Sequence, residues 1–308
     1  MSRSPLCCTF ILLMVGSLVV PSLRAQCSDC VGLGGEFDVP LVRVEKSASA
    51  ADRRARAQAG DVTAVAIPEG TDAFEEADSL RTRAWRGQPG STINTPTAFG
   101  PKWGEVYAGV SYQHRIRYSR WRDGIVGMGV GFGNPHRTVG LAAAVTVLDT
   151  YTDFGEDRSL SLKVHRRLPW RSAVALGYEN LWHTAGTDGG DSRYGVVSTV
   201  LALRDDLTTP FGSVVVSGGL GEDRFLSEGR FARGERGTSL FGSLGLRVLR
   251  STNAIVNWSG QDLNVGLSVV PHSRFPVMVT PAVLDVTGRA GDGARFGISA
   301  AIGYDLRR

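Results

Sequence analysis

Alternation with period two runs from Trp103 almost to the last residue of this 308-residue chain, and no other feature constrains the fold as much. Successive side chains of a strand point to opposite faces, so a run with this period has one apolar face and one small or polar face. Twelve runs can be drawn, separated by clusters of Gly, Asp, Asn, Ser and Pro: residues 105–116, 124–133, 138–150, 158–168, 172–182, 193–204, 211–221, 237–249, 252–259, 262–271, 276–287 and 295–306. In the third, Val139, Leu141, Ala143, Val145 and Val147 oppose Gly140, Ala142, Ala144 and Thr146. In the fourth, Leu160, Leu162 and Val164 oppose Ser159, Ser161, Lys163 and His165. In the tenth, Leu263, Val265, Leu267 and Val269 oppose Asn264, Gly266 and Ser268, and in the twelfth Phe296, Ile298, Ala300, Ile302 and Tyr304 oppose Gly297, Ser299, Ala301 and Gly303.

The fold class this predicts is all-β. The 39 Gly residues follow no G-X-Y period, which excludes a collagen-like chain, and 42% hydrophobic residues exclude uniform disorder. A helical membrane bundle is excluded as well, because each spanning helix needs about 20 consecutive apolar residues and the chain has one long apolar run.

Connection lengths separate a barrel from a soluble sandwich. Long polar loops follow runs one, five and seven (117–123, 183–192 and 224–236), whereas runs two, four, eight and ten close through short turns such as 134–137 and 169–171. Long loops on one rim and short turns on the other predict a single antiparallel up-and-down transmembrane β-barrel of about 12 strands. Gly260 and Gln261, after run nine, are shorter than this scheme wants, and Pro281 inside run eleven predicts a bulge or a misplaced strand. Aromatics group near the two rims: Trp103, Tyr107, Trp170, Phe211 and Tyr304 at the short turns, Tyr151, Trp182 and Phe225 at the long loops.

The first third of the chain differs in kind. Arg3, the apolar core from Thr9 to Val20 and the small residues up to Ala25 read as a secretory signal peptide over 1–25. Its removal takes away Arg3 and Arg24 and no acid, leaving 34 − 2 = 32 basic residues against 30 acidic ones, a balance with no footprint for nucleic acid. Cys27 and Cys30 remain as a lone C-x-x-C, which suits a local disulfide in an oxidising compartment and cannot supply a four-ligand zinc site. Residues 26–102 hold an Ala/Arg stretch (47–59), an acidic patch (72–78) and a turn-rich stretch from Gln88 to Pro101. They read as a low-order periplasmic segment or a plug, and 103–308 as the barrel.

Residues 103–308 resemble outer-membrane β-barrel proteins of the porin-like, meander type. The alternation from Phe296 to Tyr304 matches the final strand that the barrel assembly machinery of such proteins recognises, although here Leu306, Arg307 and Arg308 follow the aromatic. The stretch from Asn257 to Leu267 (NWSGQDLNVGL) resembles barrels associated with exopolysaccharide export. The resemblance implies the outer membrane of a Gram-negative-type bacterium, outer-membrane lipid as a partner, and a monomer.

No catalytic constellation, metal set or cofactor motif emerges, so the expectation is that the protein is not an enzyme. Gly127, Gly129, Gly131 and Gly133 have the spacing of a nucleotide loop, but their period of two places them on one strand face. Asp188 to Asp191 and Asp292 sit in Gly turns and lack full calcium-ligand spacing.

With the small faces turned inward, Arg115, Lys163, His165, Glu179, Arg247 and Asn264 are the candidate pore-lining residues, with Tyr107 and Gln113 beside them. Basic groups outnumber acids in this set, which predicts a narrow channel for small hydrophilic, anionic solutes. The alternative is a closed barrel with a structural or surface-interaction role, linked to polysaccharide export or adhesion through loop residues Arg117, Arg120, Trp121, Arg122, Arg224, Arg230, Arg233 and Arg236.

Overall fold

The computed structural model describes residues 88–118, 120, 122–147, 157–184, 191–272, 275–290 and 292–307. The signal-peptide, disulfide, Ala/Arg and acidic-patch expectations, together with Tyr151 and Trp121, fall outside these residues. Twelve strands are formed among them: β1 (Glu105–Gln113), β2 (Asp123–Gly133), β3 (Gly140–Val147), β4 (Arg158–Leu168), β5 (Ser172–His183), β6 (Ser192–Ala202), β7 (Ser213–Glu222), β8 (Thr238–Leu249), β9 (Thr252–Trp258), β10 (Leu263–Val269), β11 (Val277–Leu284) and β12 (Arg295–Asp305). Each pairs antiparallel with its neighbours in sequence, and β1 pairs with β12 from Glu105↔Asp305 to Gln113↔Gly297, which closes an up-and-down barrel with no free edge. The expected closed antiparallel meander is therefore observed, down to the strand count.

Burial follows the alternation. On β1, Glu105, Tyr107, Gly109, Ser111 and Gln113 are buried, while Ala108 and Val110 are exposed. On β3 the small residues face in, and Leu141 and Val145 face out. Outward exposure of Met128, Leu176, Val197, Leu220, Leu244, Val256, Leu267, Phe296 and Ile302 continues this apolar belt around the barrel. Gly127, Gly129 and Gly131 of β2 share the face that Tyr107 and Gly109 present to the interior. A Cβ on Gly129 would lie 2.4 Å from the Tyr107 ring, which is laid flat across that strand.

Two ladders are shifted in register, by two residues on β5 and by one on β8. Leu160 to Leu162 of β4 faces Tyr178 to Trp182 of β5, with Asn180 at φ 53° donating its N–H to Ser161 Oγ (3.0 Å). A similar shift lies between Arg247 and Leu249 of β8. Pro281 corrects the expectation made for it, producing neither a bulge nor a misplaced strand. The β11–β12 ladder is complete from Val277 to Leu284, and the β10–β11 register is the same on both sides of the proline. The missing N–H falls toward β10, where the pairs opposite Thr280 and Pro281 are skipped and Thr280 Oγ1 bridges to Ser268 Oγ instead (3.1 Å). Pro281→Val restores that donor, and should raise unfolding stability by about 0.5–1.5 kcal/mol in denaturant titrations of the purified barrel.

The rims also differ from expectation in places. Trp103, Trp170, Phe211, Tyr304 and Trp182 are exposed, Trp170 at 90%. Tyr107 and Phe225, however, are buried inside, so they belong to no outer girdle. Run one ends at Gln113, which leaves Arg115 on the β1–β2 loop. The β6–β7 connection, Leu203 to Gly212, is longer than a tight turn and folds back so that Leu207 joins the interior beside Phe99.

Candidate functional site

Strands wide apart enough to enclose a lumen leave a volume that water or protein must fill. Here residues 88–101 fill it, as an irregular hairpin in no strand, with every residue from Pro89 to Pro101 buried. It begins at the short-turn rim, where Arg247 Nη2 donates to Gln88 Oε1 (3.1 Å). It climbs along β8 to β11: Asn253 Nδ2 donates to the Pro89 and Gly90 carbonyls (both 3.0 Å), and Gly90 N–H donates to Ser268 Oγ (2.8 Å). Gly245 lets Ser91 approach, since a Cβ there would lie 2.7 Å from the Ser91 Cα.

The tip is a turn closed by Thr92 Oγ1, which donates to the Thr95 carbonyl (2.8 Å). Asn257 Nδ2 donates to Thr95 Oγ1 (2.6 Å), Asn264 Nδ2 to Asn94 Oδ1 (3.2 Å), and Arg224 Nη1 to the Asn94 carbonyl (3.1 Å). The chain then descends past β6 and β4. Ala98 N–H donates to Ser198 Oγ (2.8 Å), and Lys163 Nζ donates to the Phe99 carbonyl (2.6 Å). Gly100 lies against His165, and Gly131 accommodates the Pro101 and Lys102 backbone before Trp103 N–H reaches the Gly133 carbonyl (2.9 Å) at the short-turn rim. Three apolar side chains anchor this path. Ile93 joins Ile255, Ala282 and Leu284, while Ala98 and Phe99 join Ala175, Val196, Val215 and Phe241, with the Arg167 guanidinium 4.4 Å over the Phe99 ring.

A second closure lies at the long-loop rim. The β7–β8 loop contains a 3-10 turn (Asp223–Phe225) and one short helix, α1 (Glu228–Ala232), and turns Phe225 and Leu226 fully inward. Phe225 stacks on Phe241 at 4.4 Å between centroids. Against it lies the short β9–β10 turn, Ser259 to Asp262, closed by the Ser259 N–H donating to the Asp262 carbonyl (3.0 Å), with Gly260 beside the Phe225 backbone. Asp262 is buried between two guanidinium groups, pairing with Arg117 from the β1–β2 loop and with Arg295 of β12 (2.7 Å). Gln261 also accepts from Arg117.

Of the residues singled out in the sequence, Lys163, His165, Arg247 and Asn264 face the interior and are buried. Glu179 pairs with Arg224 near the long-loop rim, while Arg115 lies outside the lumen, 2.6 Å from Asp292. Lys163, Arg247 and Asn264 hold the hairpin rather than face open water. Sequence reasoning placed Ser268 on the inward face without singling it out, and missed Asn253, Asn257 and Ser198. Their signal was present: Asn is depleted in strands, yet Asn253, Asn257 and Asn264 all fall on inward positions of two adjacent strands. Among the loop arginines, Arg117 and Arg224 serve internal pairs, and Arg230 and Arg233 are clasped by Glu235.

Asn257 also donates to the Gly242 carbonyl (3.0 Å), so one amide ties the hairpin tip to two strands. Asn257→Leu keeps the volume and leaves buried partners unsatisfied. A loss of about 1–3 kcal/mol in unfolding stability is expected, measured by denaturant titration. No protein-family model matches this chain, and no curated protein matches it either.

Proposed function

We propose that this protein is a monomeric outer-membrane barrel of a Gram-negative-type envelope, without enzymatic activity, whose lumen is closed at rest by its own residues 88–101. The hairpin carries the reading: it occupies the volume that solute would need, and it is fastened by side chains of β4, β6, β8, β9 and β10. A lipid setting is supported by the outward belt of Leu, Val, Ile and Phe, since soluble monomers rarely expose contiguous apolar patches beyond a few hundred Å². The apolar run at 9–20 and the final-strand alternation support export and recognition by the barrel assembly machinery.

The test joins fractionation to conductance. The expected result is recovery in the outer membrane, faster gel migration before boiling than after, and no steady current in planar bilayers. A water-soluble periplasmic protein would overturn the membrane reading, and steady open current from folded wild-type protein would overturn the resting closure.

A surface-binding role is favoured by one further observation. Arg120, Arg122 and Arg236 are exposed on the long-loop side and make no ion pair among the described residues. Such guanidinium groups suit anionic polysaccharide. Replacing all three with Gln should abolish retention on an anionic polysaccharide column, and unchanged retention would remove this reading.

A further inference from the structure

We infer that residues 88–101 form a withdrawable stopper, and that the lumen behind it passes small anions when the hairpin leaves through the short-turn rim. This rests on the proposed outer-membrane barrel and goes beyond its resting closure.

The first support is the chemistry of the contact. A permanent core is mostly apolar on both sides, but here three apolar anchors are outnumbered by polar groups on the hairpin and on the wall that meets it. The hairpin, QPGSTINTPTAFGP, offers Ile93, Ala98 and Phe99 as its apolar anchors, and the wall meets it with Asn253, Asn257, Asn264, Ser198, Ser268, Lys163 and Arg247. Water can replace most of these hydrogen bonds on both surfaces, so separation strands few polar groups. No residue of the hairpin belongs to the sheet, so its departure breaks no ladder.

Direction follows from the path. Gln88 and Trp103 both lie at the short-turn rim, held by Arg247 and by the Gly133 carbonyl, so the hairpin enters and returns through the same mouth. Above its tip stand Arg224, Phe225 and Leu226. Phe225 shares a cluster with Ala98 and Phe99, so withdrawal removes the floor on which this cover rests.

The vacated wall sets selectivity. Lys163, Arg167 and Arg247, with His165 beside them, would be uncovered, whereas Glu179 is already paired with Arg224. An excess of fixed positive charge in a narrow passage attracts anions.

The experiment uses the mature chain with Cys27 and Cys30 replaced by Ser, in planar bilayers with chloride as the probe. One variant deletes residues 88–99. A second carries Asn94→Cys and Asn264→Cys, so that a disulfide locks the tip to β10. Heat-modifiable migration confirms the barrel first and tests the underlying reading separately. The deletion should raise open probability by roughly tenfold or more, with reversal potentials showing anion preference. Adding Lys163→Gln and Arg247→Gln to it should reduce that preference. The cysteine pair should be silent when oxidised and open at high holding potential when reduced. A folded deletion barrel that stays silent or prefers cations overturns the inference. If the deletion variant does not fold, the cysteine pair decides, and equal behaviour in its oxidised and reduced forms overturns the inference.

Discussion

Asp262→Ala should lower the stability of the folded barrel by about 3–5 kcal/mol, the usual consequence of removing one member of a buried ion-pair network. Asp262 is buried between Arg117 and Arg295, and both guanidinium groups are themselves almost wholly buried. Its carboxylate is the shared acceptor joining the β1–β2 loop, the β9–β10 turn and β12. Taking it away leaves two positive charges in a low-dielectric pocket where they repel each other. The check is the temperature at which the compact band is lost on unboiled gels, together with a denaturant titration. Asp262→Asn keeps the shape and removes the charge, so it should fall between wild type and alanine. Equal stability of all three proteins would mean that the network is solvated rather than sealed.

Gly260→Ala is expected to have the second large effect, roughly 3 kcal/mol or more, from two causes acting together. Gly260 adopts φ +97°, a conformation that strains an L side chain. A Cβ there would also lie 1.9 Å from the Phe225 carbonyl oxygen, a backbone atom that cannot swing aside. The β7–β8 loop would have to lift, drawing Phe225 off Phe241. Loss of protection of Phe225 and Leu226 amides in hydrogen exchange, beyond the global change, would identify this local lifting. An unchanged loop would show that the β9–β10 turn had moved instead.

Much of the fold was legible because strand alternation is a local property. Leu141 and Ala142 lie on opposite faces whatever the remaining chain does, and the run over β4, 158–168, coincides with the strand observed. Run boundaries blurred where loop residues continue the alternation by chance, as with Arg115 beyond Gln113. Pro281 was misjudged because the cost of a proline depends on which neighbour its missing N–H would have faced. Phe225 was misplaced, and Tyr107 was assigned to a girdle as well as to the lumen where it lies, because nearness to a rim in sequence does not say whether a ring turns outward or in.

The site was legible as a set of inward positions but not as a purpose. Lys163, Arg247 and Asn264 read as a polar lining, and a polar lining suits water equally well. What they hold is a stretch whose sequence shows no period and little apolar content. By itself the sequence determined the strands, their two faces and the closed meander, and most of the strand positions that look inward, since each follows from a period of two and from turn chemistry. Only the tertiary structure decided that the lumen is occupied. Hydrogen bonds between Asn94 and Asn257 or Asn264, or between Phe99 and Lys163, join residues far apart in the chain, and no local preference of either partner encodes that meeting.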